Sequence, residues 1–156
     1  MPHRQQVALT EPQMQISTPA LSVLKVIHLP PPPTDAPGAS IFSALRSRRT
    51  TREIAATPLP IQLLTNLLWA ACGVNRATGP DGAPGRTAAS ASNSQEIDPY
   101  VALKEGLYVY DATSSLLTPA IAGDWRVSAL TPRQRGIDAR APVQLVSCLS
   151  TNTSRI

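Results

Sequence analysis

The stretch Arg46-Ser47-Arg48-Arg49-Thr50-Thr51-Arg52 concentrates guanidinium and hydroxyl groups. Guanidinium forks match phosphate oxygens, and the Thr50 and Thr51 hydroxyls add short donors, so the stretch is able to grip one phosphate from several directions. It also reads as a solvated basic helix end, favoured by the helix macrodipole. A second stretch, Thr87-Ala88-Ala89-Ser90-Ala91-Ser92-Asn93-Ser94-Gln95, carries two amides at Asn93 and Gln95. Each offers a donor and an acceptor face, which a heteroaromatic ring edge with mixed carbonyl and N–H groups requires. The small residues around them let backbone approach a flat ligand. On composition alone this stretch also reads as a flexible linker.

Other chemistry is sparse. Cys72 and Cys148 stand far apart without CxxC or Cys/His spacing, which suits two reduced, buried thiols and a cytoplasmic setting. His3 and His28 lie in a proline-rich arm, and no Ser/His/Asp or metal-ligand constellation is visible.

The elements that must position the two stretches follow from periodicity. Residues 1–38 are polar and then proline-dense, ending in Leu29-Pro30-Pro31-Pro32-Pro33, a run that favours polyproline II and lacks ladder donors. This reads as an arm or linker, with the domain over 39–156. Behind the N-cap candidate Ser40, residues Ile41, Phe42, Ala44 and Leu45 recur at helical spacing, predicting a helix that ends near Arg48. Ile61, Leu64, Leu67, Leu68 and Ala71 share one face of a second helix. Pro58 and Pro60 precede it, Trp69 packs in the core beside that face, and Gly73 stands where a left-handed C′ residue would.

Residues 75–94 show no apolar period and read as loop. A loop of that length inside a compact domain is usually functional or disordered. Then the period becomes two: 100–103 and 107–110 read as a hairpin joined by Lys104-Glu105-Gly106, with Gly106 at the tight position. Residues 116–119 predict a short strand, and 124–137 a weak helix. The apolar run 142–149 suits a buried strand. Helices followed by antiparallel strands with a helix between predict an α+β layered domain.

A chain of 156 residues is long enough to bury roughly 70% of its unfolded surface. Its 42% hydrophobic content is ordinary, whereas 16 prolines and 15% charged residues imply long irregular segments. The net charge of +4 favours an anionic ligand without choosing among cofactor, nucleic acid and membrane surface. A nucleic-acid module built on Arg46, Arg48, Arg49, Arg52, Arg76 and Arg86 lacks interleaved aromatics and any recognition motif, so no nucleic-acid partner is expected. No run approaches the roughly 18 apolar residues of a membrane span. Glu11, Pro12, Gln13 and Gln15 interrupt the segment where a secretory signal would be apolar.

Five groups of residues in register carry a resemblance. Arg48-Arg49-Thr50-Thr51-Arg52-Glu53, Pro58-Leu59 with Leu63 to Gly73, and Gly85-Arg86-Thr87-Ala88-Ala89-Ser90 through Asn93-Ser94-Gln95 come first. Gly106-Leu107-Tyr108-Val109-Tyr110-Asp111 follows, then Ala122-Gly123-Asp124 with Ala141-Pro142-Val143. Together they resemble nitroreductase-like flavoproteins, in particular the branch that includes the dehydrogenases of thiazole/oxazole peptide biosynthesis. The resemblance implies an α+β nitroreductase-like fold and an FMN held non-covalently at the interface of a homodimer. It also implies hydride transfer through flavin N5, from NAD(P)H or a substrate to a small-molecule acceptor. By the same resemblance Arg48, Arg49 and Thr50 contact the FMN phosphate and ribityl end, with Arg52 a further candidate that instead pairs with Glu53 or Asp111. Ser90, Ser92, Asn93 and Gln95 lie along the ring.

Two departures stand out. Ala89 occupies the position where the family usually has proline, which loosens the loop. The chain also stops at Ile156, about where family members continue into a second half, so a truncated member with reduced or absent flavin affinity and activity is expected. The alternatives are an inactive dimerising remnant and the basic nucleic-acid module.

Overall fold

The computed structural model describes residues 23–33, 38–79, 82–128, 130–132 and 141–150. Two helices and a five-stranded antiparallel sheet make up the framework: β1 (Ile27–His28), α1 (Ile41–Ser47), α2 (Ile61–Cys72), β2 (Val74–Arg76), β3 (Gly85–Arg86), β4 (Ile97–Ala102), β5 (Gly106–Asp111), β6 (Leu116–Ala122) and β7 (Gln144–Leu149). The main sheet has the order β1-β6-β5-β4-β7, and β2 and β3 form a separate short ladder.

Helix α1 forms as its spacing predicts. The Ser40 hydroxyl accepts from Ser43 N–H and Arg48 is the C-cap. Helix α2 also forms, but only part of the expected face is seated. Leu64, Thr65 and Leu68 are buried, whereas Ile61 and Leu67 are nearly half exposed and Ala71 is exposed. Apolar residues cover more than half of this helix, so spacing alone did not say which side meets the sheet. Thr65 is accommodated because its hydroxyl donates to the Ile61 carbonyl within the helix (3.0 Å). Trp69 is half-buried, its indole N–H donating to the Val74 carbonyl.

Gly73 caps α2 in an extended conformation (φ −67°, ψ 160°) rather than in the left-handed region. Glycine is required there by crowding, because a Cβ would run into the Trp69 ring and the Trp69 Cα. The hairpin β4–β5 forms with Tyr100 opposite Val109 and Val101 opposite Tyr108. Gly106 is not its tight turn position. It opens β5 as a buried residue, where a Cβ would lie 2.6 Å from Leu24 Cδ1 and 3.0 Å from the Ile121 carbonyl oxygen.

Within the expected loop 75–94 the chain makes the β2–β3 ladder, and a 3-10 turn follows at Ala91–Asn93. Where a weak helix was expected, 124–128 and 130–132 hold turns; residues 129 and 133–137 lie outside the described residues. Among the described residues strand β7 is a sheet edge rather than a buried strand, pairing with β4 alone and leaving Leu149 75% exposed. Part of the proline-dense stretch lies on the sheet: Ile27–His28 pair with Leu116–Leu117, and Leu29 is buried.

Alternation on β5 builds the core. Tyr108 and Tyr110 point to one face with Val101 and Leu117, and there they meet Leu64 and Leu68 of α2 together with Leu29. Burial pushes the Tyr108 and Tyr110 hydroxyls above the ordinary tyrosine value of 10.0 and the Cys72 thiol above 9.0. All three are neutral when protonated, so folding favours the protonated forms. Their contribution to stability is fully present below about pH 9 and falls as pH rises through the raised folded values. The urea midpoint is therefore expected to drop between about pH 8 and about pH 11, and a midpoint constant over that interval would contradict burial of these groups.

Candidate functional site

The last turn of α2 contains no basic residue, so its unpaired carbonyls are met from outside. Residues 86 and 87 meet them. Arg86 NH1 donates to the Cys72 carbonyl (3.1 Å), the Thr87 hydroxyl to the Trp69 carbonyl (2.9 Å), and Thr87 N–H to the Gly73 carbonyl (2.9 Å). A cation at a helix C-terminus is favoured by the macrodipole as well as by the hydrogen bond. The chain from Gly85 onward is thereby fixed to the helix end.

From there it turns through the amide-bearing loop. Ser90 closes the turn, its hydroxyl accepting from Gln95 N–H (3.0 Å) and its carbonyl from Asn93 N–H (3.2 Å). Ser92, Asn93 and Gln95 all adopt positive φ, at 51°, 54° and 53°. For serine and glutamine this conformation costs on the order of 1 kcal/mol each and persists where neighbours over-determine it. Here the neighbours are explicit. The Gln95 amide nitrogen donates to the Pro84 carbonyl (2.7 Å) and to Asn93 Oδ1 (3.0 Å), and Gln95 Oε1 accepts from Arg86 Nε (2.7 Å).

Between this loop, the end of α2 and the sheet edge lies a cavity of about 230 Å³. Leu68, Ala71, Pro99 and Leu145 give it apolar walls, and Arg86, Ser90, Gln95, Glu96 and Ser147 supply its polar lining. Arg86 has no carboxylate within ion-pair distance among the described residues, and its remaining N–H groups are uncommitted there. Cys72 lines the same cavity, its thiol raised by burial against the opposing pull of the Arg86 charge.

Ser90 and Gln95 thus stand at the cavity, with Asn93 bonded to Gln95 beside it and Ser92 exposed on the same turn. Arg48, Arg49, Thr50 and Arg52 are not brought to its walls. They are exposed after α1, and their side chains make no hydrogen bond or ion pair among the described residues. Arg52 pairs with neither Glu53 nor Asp111, whose carboxylate accepts instead from Thr113 N–H and the Ser114 hydroxyl. Arg86 was missed as a site residue. The available signal was the absence of any cation in the last turn of α2. The wall supplied by β7 was missed too, because its apolar run resembles a buried strand.

Among the described residues no helix is long and apolar enough to cross a membrane. No curated protein matches the chain. A similar solved structure is a crystal structure of a protein assigned as a nitroreductase, from Ralstonia eutropha JMP134. It is 42% identical, with a TM-score of 0.68 over 78% of this chain and 54% of that one. The chain therefore spans about half the length of this relative. The α+β arrangement of two helices and an antiparallel sheet agrees with that neighbour. The sequence model of the Nitroreductase family matches residues 45–154, which take in both the arginine stretch after α1 and the strained amide loop, and the chain belongs to that family.

Proposed function

We propose that the chain forms the flavin-binding part of an FMN-dependent oxidoreductase that passes hydride between NAD(P)H, or a substrate, and a small-molecule acceptor. The observation that carries this reading is the cavity at the end of α2, apolar on its walls and bounded at one rim by Arg86, Ser90 and Gln95. Those residues fit a planar heteroaromatic group. Ala71, Ala88 and Ala89 keep side chains short where a flat ring must approach backbone, and the uncommitted Arg86 N–H groups suit the ring's carbonyl oxygens.

FMN, when bound, supplies a hydride acceptor and donor at N5. The chain's own part is positional. Arg86 holds the Gln95 amide and donates to the ring edge, the Ser90 hydroxyl adds a donor, and Leu68, Ala71 and Pro99 exclude water from the cavity. Arg48, Arg49, Thr50 and Arg52 receive the phosphate. Because they line no part of the cavity within one chain, a second copy is the natural source of the complete site. The exposed apolar side chains of α1 and α2 support a homodimer: Ile41, Phe42, Leu45, Ile61, Leu63 and Leu67 are all 45–72% exposed.

The purified chain is expected to be a dimer in sedimentation, to carry one FMN per protomer by absorbance, and to oxidise NAD(P)H with a nitroaromatic or quinone acceptor. A colourless chain that gains no flavin absorbance on titration with FMN would sink the reading.

A further inference from the structure

A second cavity, of about 340 Å³, shares Arg86, Ala88, Ala89 and Ser90 with the first and is otherwise walled by different residues. Its character is the reverse of the first. Arg76 and Arg86 bring two guanidinium groups and Asn75 and Asn93 two amides, and none of the described residues that line it is acidic. Two local features aim Arg76 into this place. The β2–β3 register shifts between Val74 and Arg76, an irregularity of the kind that redirects a side chain at a ladder end. Opposite it is Gly85, where a Cβ would lie 2.6 Å from Arg76 Nε and 2.7 Å from NH2. The guanidinium therefore rests against a bare Cα, which only glycine provides.

We propose that this cavity is an anion site for the phosphate ester or diphosphate end of a nucleotide, distinct from the arginine stretch after α1. Two like charges at one cavity favour an anion there; the planar N–H pairs of Arg76 match phosphate oxygens, and Arg86, held by the Gln95 amide and the Cys72 carbonyl, adds its charge. Thr87 is already committed to the Trp69 carbonyl and adds little. The inference stands on these residues and does not rest on the flavin reading.

Calorimetric titration of the full chain with inorganic pyrophosphate at low salt tests it. The parent chain is expected to bind, and Arg76→Gln to weaken binding by about tenfold, the scale of one charge-assisted contact. Gly85→Ala is expected to do the same by displacing Arg76, since the three nearest atoms to the new methyl all belong to that flexible side chain. Lys25→Gln, which removes one charge outside the cavity, should leave binding within about twofold. If Gly85→Ala does not fold by circular dichroism, Arg76→Gln alone decides.

Repeating the titration with ADP, FMN and riboflavin identifies the source of the phosphate. Weakened ADP binding points to a nucleotide second ligand, and weakened FMN binding with riboflavin unchanged points to the flavin's own phosphate; either supports the site. No pyrophosphate binding by the parent chain, or an Arg76→Gln variant indistinguishable from Lys25→Gln, overturns it. Riboflavin binding by the parent chain reports separately on the flavin cavity.

Discussion

An Arg86→Met variant is expected to bind FMN about ten- to a hundredfold more weakly than the parent chain while remaining folded. The side chain does two jobs at once. Its NH1 closes the C-terminus of α2 through the Cys72 carbonyl, and its Nε orients the Gln95 amide at the cavity rim. Methionine keeps an unbranched apolar stem, shorter than that of arginine, and removes every donor. One lost charge-assisted hydrogen bond to a ligand is worth about 1.5–3 kcal/mol, which corresponds to that change in Kd. Quenching of flavin fluorescence on titration measures it. Arg86→Lys separates charge from geometry, because one ammonium cannot span the Cys72 carbonyl and the Gln95 amide as the fork does. Lysine is therefore expected to recover only part of the loss. An affinity unchanged in Arg86→Met would remove Arg86 from the site.

Leu68→Ala is expected to cost about 2–5 kcal/mol of stability. Leu68 is 1% exposed and joins α2 to Val101, Tyr108, Tyr110 and Leu117 in one cluster. It also forms a wall of the candidate flavin cavity, so the vacated volume opens toward a space already present. Leu68→Met, which preserves most of the volume, should cost less than about 1.5 kcal/mol. Urea unfolding of the three proteins gives both numbers. A loss below about 1 kcal/mol for alanine would mean that α2 is not seated on the sheet by this residue.

Much of the architecture was legible because its signals are local. Ser40 before an apolar period and alternating residues in 107–110 each declare their element within a few positions. What was not legible depends on neighbours distant in the chain. Gly73 and Gly106 read as turn residues, yet each is required by an approaching side chain, Trp69 in one case and Leu24 in the other. Ile61 and Leu67 fit the apolar face of α2 as well as Leu64 does, and only the placement of the sheet decides between them. At the site the amide loop was visible, whereas Arg86 was not, because its role is defined by the carbonyl of Cys72 and the amide of Gln95 at opposite ends of a folded segment.

The strand order also has a consequence for how the protein is made. β4 lies between β5, which follows it at once, and β7, which leaves the ribosome only after β5 and β6 have emerged. At a synthesis rate of about 5–20 residues per second, the nascent hairpin spends seconds with the flank of β4 bare and able to pair with another emerging chain. Completion of the sheet waits on a contact between segments remote in sequence, a topology that folds slowly once β7 has emerged. Yield in the cell should therefore respond to translation speed and to chaperones that shield bare strands more than the stability of the finished fold would suggest.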